Sequence, residues 1–283
     1  MVKIEIDLKN RESLKRLHTA THLLNFSAKE ILGNHVWQNG SNLKSSIGSL
    51  DITHYKNLDL EEIFLIERRV NELIFKNKKV QIENLDRTLA EKKYGFTLYQ
   101  GGAIPMKILR VVKILDSDIE ACGGLHMEST GGIGIFKIVS SQKIQDGVVR
   151  IKFVVNNYAL KLIEDKEKIL TEISKIYSVE ENSLIKTSQI FFNDWKSQKK
   201  EIEKLKNTLK NTYLKNILND KSNEYNLNEN YDMGFLMDLF NEIKSKKKSF
   251  KLISNNFIIA TSDISITKFK KMIDKKTFKI YII

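Results

Sequence analysis

His18, His22, Cys122 and His126 fall into two metal-type pairs, His-Thr-Ala-Thr-His and Cys-Gly-Gly-Leu-His. They use three of the five histidines and the single cysteine of the 283-residue chain. Three imidazoles and a thiolate match the softness and tetrahedral preference of Zn2+, whereas calcium and magnesium favour oxygen ligands. A lone histidine on a helix is usually a structural or surface residue; two complete pairs turn that balance toward zinc. His22 and Cys122 are 100 residues apart. A metal held by all four side chains would therefore join distant segments, unlike a local finger whose ligands lie within one short unit.

The first pair needs a helix. Leu14, Leu17, Thr21, Leu24, Ala28 and Ile31 recur at steps of three and four, with Asn10 as the expected N-cap, Glu12 in the first turn and Gly33 as the stop. Residues four apart stack on one helical face, so His18 and His22 can aim at one point. The second pair needs a turn, and Gly123 and Gly124 permit one that brings Cys122 and His126 to the same ion.

Composition bounds the rest. The chain is 41% hydrophobic, enough for a sizeable core and more than one domain. Apolar runs long enough to span a membrane are lacking, and Met1–Asp7 alternates like a strand instead of forming a secretory apolar region. This reads as a soluble, cytoplasmic protein with no membrane partner. One cysteine excludes an intramolecular disulfide and suits a reducing compartment. The net charge of +12 favours a polyanion such as a nucleic acid, although a chain broadly rich in Lys, Ile and Asn can acquire that charge from genome composition alone.

The basic residues mark a boundary. All seven arginines precede residue 158, and the remaining 126 residues use 24 lysines and no arginine. Before that boundary, Gln38–Ser49 reads as loops and short strands and Leu60–Asn77 as an amphipathic helix. Val80–Leu85, Met106–Leu115, Ile133–Val139 and Val148–Val155 read as strands, with a hairpin at Asp146-Gly147. The expected class is α+β, with a first domain over 1–157. Stripes of Leu162, Ile169, Ile173 and Ile176, then Trp195, Ile202, Leu205, Leu209 and Tyr213, predict an antiparallel helical hairpin over 158–218. Ser178 and Glu181 have the spacing of a capping box that restarts the helix, and Phe191, Phe192 and Trp195 read as packing residues. A small α/β domain over 228–283 follows a polar loop at Asn219–Asn230. It has a helix at Gly234–Lys244 and strands at Lys251–Ala260 and Phe278–Ile283.

Several motifs together resemble the editing domain of archaeal-type alanyl-tRNA synthetase. They are His18-Thr-Ala-Thr-His22-Leu-Leu, Val36-Trp-Gln-Asn-Gly-Ser41, Leu50-Asp-Ile-Thr-His-Tyr55, Tyr94-Gly-Phe, Tyr99-Gln-Gly-Gly102, Cys122-Gly-Gly-Leu-His126, Thr130-Gly131 and Ile144-Gln-Asp-Gly147. Phe191-Phe-Asn-Asp-Trp195-Lys resembles the segment after that domain, so the likeness covers about residues 10–215. It implies a zinc-containing hydrolase that clears serine or glycine wrongly esterified to tRNA(Ala). The ion could acidify the attacking water, polarise the carbonyl or hold the substrate amino group. Thr21 is expected to bond the serine hydroxyl, with a helix residue bonding its own backbone as the alternative. Gln38 is expected to orient the ester or water, with a surface amide as the alternative.

Two positions depart from the family pattern: Leu125 stands where Thr is usual, and Gly132 where an acidic residue often follows Thr-Gly. The chain begins about 17 residues before His18, which leads to the expectation of no aminoacylation domain. It would then be the editing half of a divided synthetase with a separate aminoacylation subunit, or a free-standing editing protein. A non-catalytic tRNA-binding or assembly subunit stays open, as does homo- or hetero-oligomerisation through the C-terminal region.

Overall fold

The computed structural model describes residues 5–100, 102, 104–115, 118–227, 229–264, 266, 270–275 and 278–282. The chain divides into two compact units, Met1–Ile173 and Ser174–Ile283. Helix and sheet are mixed in both, as the α+β expectation requires. Of the strand expected over Met1–Asp7, residues 1–4 lie outside the described residues, and Glu5–Asp7 has no regular structure.

In the first unit, α1 (Leu8–Leu32) is capped by Asp7, whose side chain accepts from the Asn10 amide at 3.0 Å. Asn10 is thus inside the helix and the cap is three residues earlier, because the Asp7 carboxylate reaches the free N–H groups of the first turn. The helix ends at Gly33 as expected. Leu17, Ala20, Leu24 and Ala28 form its buried stripe, which packs on α2 (Leu60–Phe75) and on a four-stranded antiparallel sheet. The capping box of α2 is formed by Asp59 and Glu62.

That sheet has the order β1-β2-β7-β6, built from β1 (Gln38–Lys44), β2 (Ile47–Thr53), β6 (Phe136–Gln145) and β7 (Val148–Val155). The segment expected as loops and short strands is a hairpin of two seven-residue strands, with Leu43 opposite Gly48 and a register shift between Gln38 and Gly40. Between β6 and β7 the turn falls at Asp146-Gly147, where Gly147 has φ +72°, a conformation that glycine adopts without steric cost. Ile52, Ile66, Val70, Phe136 and Phe153 fill the core between helices and sheet.

A second antiparallel sheet, β3-β4-β5, consists of β3 (Gln81–Asp86), β4 (Ile108–Leu115) and β5 (Asp118–Ala121). With α3 (Arg87–Tyr94) it encloses a small cluster of Ala90, Leu98, Leu109 and Val111. Neither α3 nor β5 was expected. The first buries only Ala90, and the second alternates carboxylates where a strand usually alternates apolar residues, so hydrophobic periodicity had little to report.

α4 (Asn157–Tyr177) runs from the first unit into the second. It ends at Ser178, which has φ +53°. The chain then makes a 3-10 turn over Glu181–Ser183 before α5 (Leu184–Asn219) begins, so the Ser178–Glu181 spacing does not cap a helix. Phe191, Phe192 and Trp195 were expected to pack but are 64%, 60% and 53% exposed.

The second unit carries a five-stranded sheet ordered β11-β12-β10-β9-β8. Its strands are β8 (Glu224–Asn226), β9 (Lys251–Ile253), β10 (Phe257–Thr261), β11 (Lys270–Asp274) and β12 (Phe278–Ile282), with only the β8–β9 pair parallel. The strand expected over Lys251–Ala260 is two strands, reversed by a turn in which the Ser254 amide donates to Phe257 O at 2.9 Å. β8 lies within the expected Asn219–Asn230 loop. α6 (Met233–Lys244) contributes Phe235, Leu239 and Phe240 to a core that also takes Leu214 and Ile217 from the end of α5. Among the described residues no helix is long and apolar enough to cross a membrane.

Candidate metal centre

His18 and His22 occupy successive turns of α1, and β5 delivers the chain to Cys122. One ligand atom from each of His18, His22, Cys122 and His126 falls within a group whose members all lie within 4.8 Å of one another. Sγ of Cys122 is 3.4 Å from Nε2 of His18 and 3.4 Å from Nε2 of His126. Donors on a zinc tetrahedron with ordinary Zn–N and Zn–S lengths are separated by about 3.3–3.6 Å. The rings of His18 and His126 stack at 4.4 Å, and that of His22 meets His126 edge-on at 4.8 Å. The two separations from sulfur suit a zinc tetrahedron, and by donor chemistry the four residues could hold a metal ion.

The turn is shaped to hold this arrangement. Arg110, on β4, donates from one guanidinium nitrogen to Cys122 O at 2.6 Å and to Gly124 O at 2.9 Å. The Gly124 amide donates to the sulfur at 3.4 Å. A Cβ on Gly124 would fall inside the His18 ring, whereas one on Gly123 would meet nothing within 4 Å. The two glycines therefore differ: a side chain at 123 would be accommodated, whereas at 124 only glycine lets the backbone approach His18. On the helix side, Thr19 accepts from the Met127 amide at 3.0 Å, and its hydroxyl lies 3.4 Å from Nδ1 of His126.

Burial pushes the Cys122 thiol up, but hydrogen bonds from His126, His18 and His22 outweigh it and bring the thiol down to about 3. Burial lowers His126 to about 4 against the pull of the Cys122 sulfur. At neutral pH this gives a thiolate and a neutral imidazole, the forms in which each binds metal. For His22 burial disfavours the charged ring, yet Glu120, Asp118 and Cys122 together raise it well above the ordinary histidine value.

Nδ1 of His22 lies 3.3 Å from Oε2 of Glu120 and 3.6 Å from Oδ2 of Asp118. Burial holds the Glu120 carboxyl above the usual carboxylate range, with the His22 charge opposing and Asp118 adding to the rise. Asn25 donates to Gln100 Oε1 at 3.2 Å and to Glu120 Oε1 at 3.4 Å. Asn25, Gln100, Asp118 and Glu120 line a cleft of about 670 Å³, together with Lys29 and Tyr94.

With this geometry established, comparison with known proteins is specific. The family described as the threonyl and alanyl tRNA synthetase second additional domain matches residues 109–152, which include Cys122 and His126. Alanine–tRNA ligase of Methanosphaera stadtmanae is 44% identical over 205 residues, covering 72% of this chain and 23% of that protein. The Pyrococcus abyssi ligase is 41% identical over 254 residues, with coverage of 89% and 28%. The Methanocella arvoryzae ligase is 37% identical over 269 residues, with coverage of 94% and 31%. The chain is homologous to the editing region of archaeal-type alanyl-tRNA synthetases. It spans less than a third of the length of these curated relatives.

Within this chain the sequence-predicted site residues are distributed unevenly. The four expected ligands converge. Thr21 is 2% exposed, and its hydroxyl donates to Leu17 O at 2.9 Å, the backbone bond weighed as its alternative. Gln38 opens β1 and is half-buried. Among the described hydrogen bonds, none joins either residue to the four ligands. Thr130, of the Thr-Gly motif, bonds Leu73 O at 2.9 Å and accepts from the Lys78 amide at 3.0 Å, tying the end of α2 to the turn after His126.

Sequence reasoning passed over Thr19, Asn25, Asp118 and Glu120. Two signals were available in the sequence. Asp118, Glu120 and Cys122 are two apart, hence on one face of a strand, and Asn25 continues the His18–His22 stripe by three residues.

Proposed function

We propose that this chain hydrolyses the ester of seryl- or glycyl-tRNA(Ala), as the editing component of an alanine-charging system. The observation that carries the reading is the convergence of the two histidine-containing pairs beside a polar cleft, in a chain homologous to the editing region. Water adds to the aminoacyl carbonyl, the carbonyl–oxygen ester bond breaks, and the tRNA 3′ hydroxyl leaves with a proton while the free amino acid departs. His18, His22, Cys122 and His126 would hold Zn2+. When bound, the ion supplies Lewis-acid chemistry beside the ester.

Thr21 is proposed to recognise serine. Its hydroxyl proton is committed to Leu17 O, so what it can offer a substrate is an acceptor, suited to the serine O–H. A site built to bond that hydroxyl discriminates against alanine, because its polar partner is otherwise left unpaired. Gln38 is proposed to orient the ester or the attacking water. The charge of +12 supports tRNA(Ala) as partner. Phosphate contacts would make binding fall steeply with salt, and a flat salt response would leave the charge as compositional bias. Where aminoacylation resides on another polypeptide, that polypeptide is the expected partner subunit. The exposed Phe191, Phe192 and Trp195 offer a surface for homo- or hetero-oligomer contacts, and cytoplasmic residence follows from this role.

One observation favours a second reading. Four protein ligands close a zinc tetrahedron, which is the signature of a structural site; the chain would then be a non-catalytic tRNA-binding or assembly subunit. Deacylation of serine-charged tRNA(Ala) by the purified protein separates the two. The enzyme reading expects turnover that disappears in Cys122→Ala while the fold persists. No turnover by the wild-type, or unchanged turnover in the variant, contradicts it.

A further inference from the structure

We infer that Glu120, assisted by Asp118, is a positioning residue for the metal centre: it receives the Nδ1 proton of His22 and so presents Nε2 to the ligand group. This rests on the zinc reading of the four-residue cluster. Asp118 and Glu120 are side by side on one face of β5, two residues apart, and the same strand delivers Cys122. Both carboxylates are buried, at 5% and 7% exposure, and His22 is 4% exposed. Nδ1 of His22 lies 3.3 Å from Glu120 and 3.6 Å from Asp118. Nδ1 and Oδ2 of Asp118 have no aligned hydrogen-bond partner. Buried polar atoms seldom remain unpaired, so this arrangement calls for a proton or an ion between them.

The same protein shows how a neighbouring ligand is held. His126 turns Nε2 toward the sulfur and Nδ1 toward the Thr19 hydroxyl. For His22, Glu120 takes the place of Thr19. Metal-bound histidines commonly donate their other ring nitrogen to a carboxylate, which fixes the tautomer and makes the ligand more basic. Asn25, donating to Oε1 of Glu120 at 3.4 Å, leaves Oε2 to face the ring. His22, Asp118 and Glu120 also have the spacing of a second cation group. With Nε2 on the first metal, however, a cation on Nδ1 would require a doubly deprotonated ring. A proton needs no such change, and it leaves the imidazole neutral.

The test uses the full chain. Chelator competition should show Glu120→Gln binding zinc about 10–100-fold more weakly than the wild-type, with Asp118→Asn affected less. Both variants keep the four ligands, so the visible spectrum of their cobalt-loaded forms should stay that of a sulfur-containing tetrahedral site. Nitrogen-15 NMR of the zinc-loaded wild-type should show Nδ1 of His22 protonated, and its proton slow to exchange. Zinc affinity in Glu120→Gln within about twofold of wild-type, a His22 metallated at Nδ1, or two metal ions per chain would overturn the inference. If the variants do not fold, the NMR of the wild-type decides alone. A wild-type that binds no zinc would instead remove the reading on which this inference stands.

Discussion

The two units bury different chemistry. In the first, Thr19, His22, Asn25, Gln100, Asp118, Glu120 and His126 are each less than a tenth exposed and lie around one centre. In the second, the buried polar side chains among the described residues are Ser254 and Thr261. Both are absorbed by the backbone: Ser254 accepts from the Phe257 amide, and Thr261 from that of Phe250. The arginines divide the same way. All seven precede Ile173, and Arg110 is spent on the two carbonyls that shape the Cys122 turn. Burying polar groups is costly unless they are partnered. A unit that buries seven around one point is organised for a site; one that buries Leu239, Phe240 and Phe250 is organised for packing.

That contrast can be broken by substitution. Cys122→Ala should have the largest effect, lowering zinc affinity by more than about 100-fold, since even an outer partner of a ligand costs up to that much. Leu239→Ala in the second unit should lower unfolding stability by about 2–5 kcal/mol, measured by denaturant titration, while zinc per chain is unchanged. Loss of zinc in Leu239→Ala would mean that the units do not divide packing from site.

Two glycines sharpen the comparison inside the site. Gly124→Ala puts a methyl group into the His18 ring and should weaken zinc binding by roughly tenfold or more. Gly123→Ala, facing open space, should bind as the wild-type does. Equal behaviour of the two in isothermal titration would contradict the geometry of the turn. Arg110→Leu removes two charged hydrogen bonds from that turn and should cost about tenfold in affinity.

The smallest expected effect is an absence of change with pH. In the metal-free protein the Cys122 thiol is depressed to about 3, so the thiolate persists from neutral pH down to that value. A depressed group gives stability that is fully present above the unfolded thiol's value, near 9, and is lost as pH falls through about 3. Iodoacetamide should accordingly label Cys122 at nearly the same rate at pH 5 and pH 8. A rate that climbs tenfold per pH unit over that range would show an ordinary thiol.

The convergence of His18, His22, Cys122 and His126 was legible in the sequence because metal chemistry restricts residue type and spacing tightly. The His18–His22 helix and the Asp146-Gly147 hairpin were legible for a related reason: periodicity and turn residues report local backbone geometry. What surrounds the ligands was harder to read. Asp118 and Glu120 make β5 look like an exposed polar loop, since a strand facing a buried polar centre has no apolar alternation. Thr19 and Thr21 flank the same helical face and have the same chemistry. Both turn the hydroxyl back to the carbonyl four residues earlier, Thr19 to Lys15 and Thr21 to Leu17, and only the packed structure shows that Thr19 also meets His126. In α5 the stripe of Phe191, Phe192 and Trp195 has the spacing of a buried face, yet these side chains are exposed, because periodicity reports a face and not what covers it.

The arrangement of ligands is most directly tested by zinc-edge X-ray absorption on the purified protein with its metal content counted. One zinc per chain is expected, with three nitrogen neighbours at about 2.0–2.1 Å and one sulfur at about 2.3 Å, the sulfur vanishing in Cys122→Ala. A chain that takes up no zinc, or a zinc shell without sulfur in the wild-type, would contradict a centre built by joining the α1 histidines to the Cys122 turn.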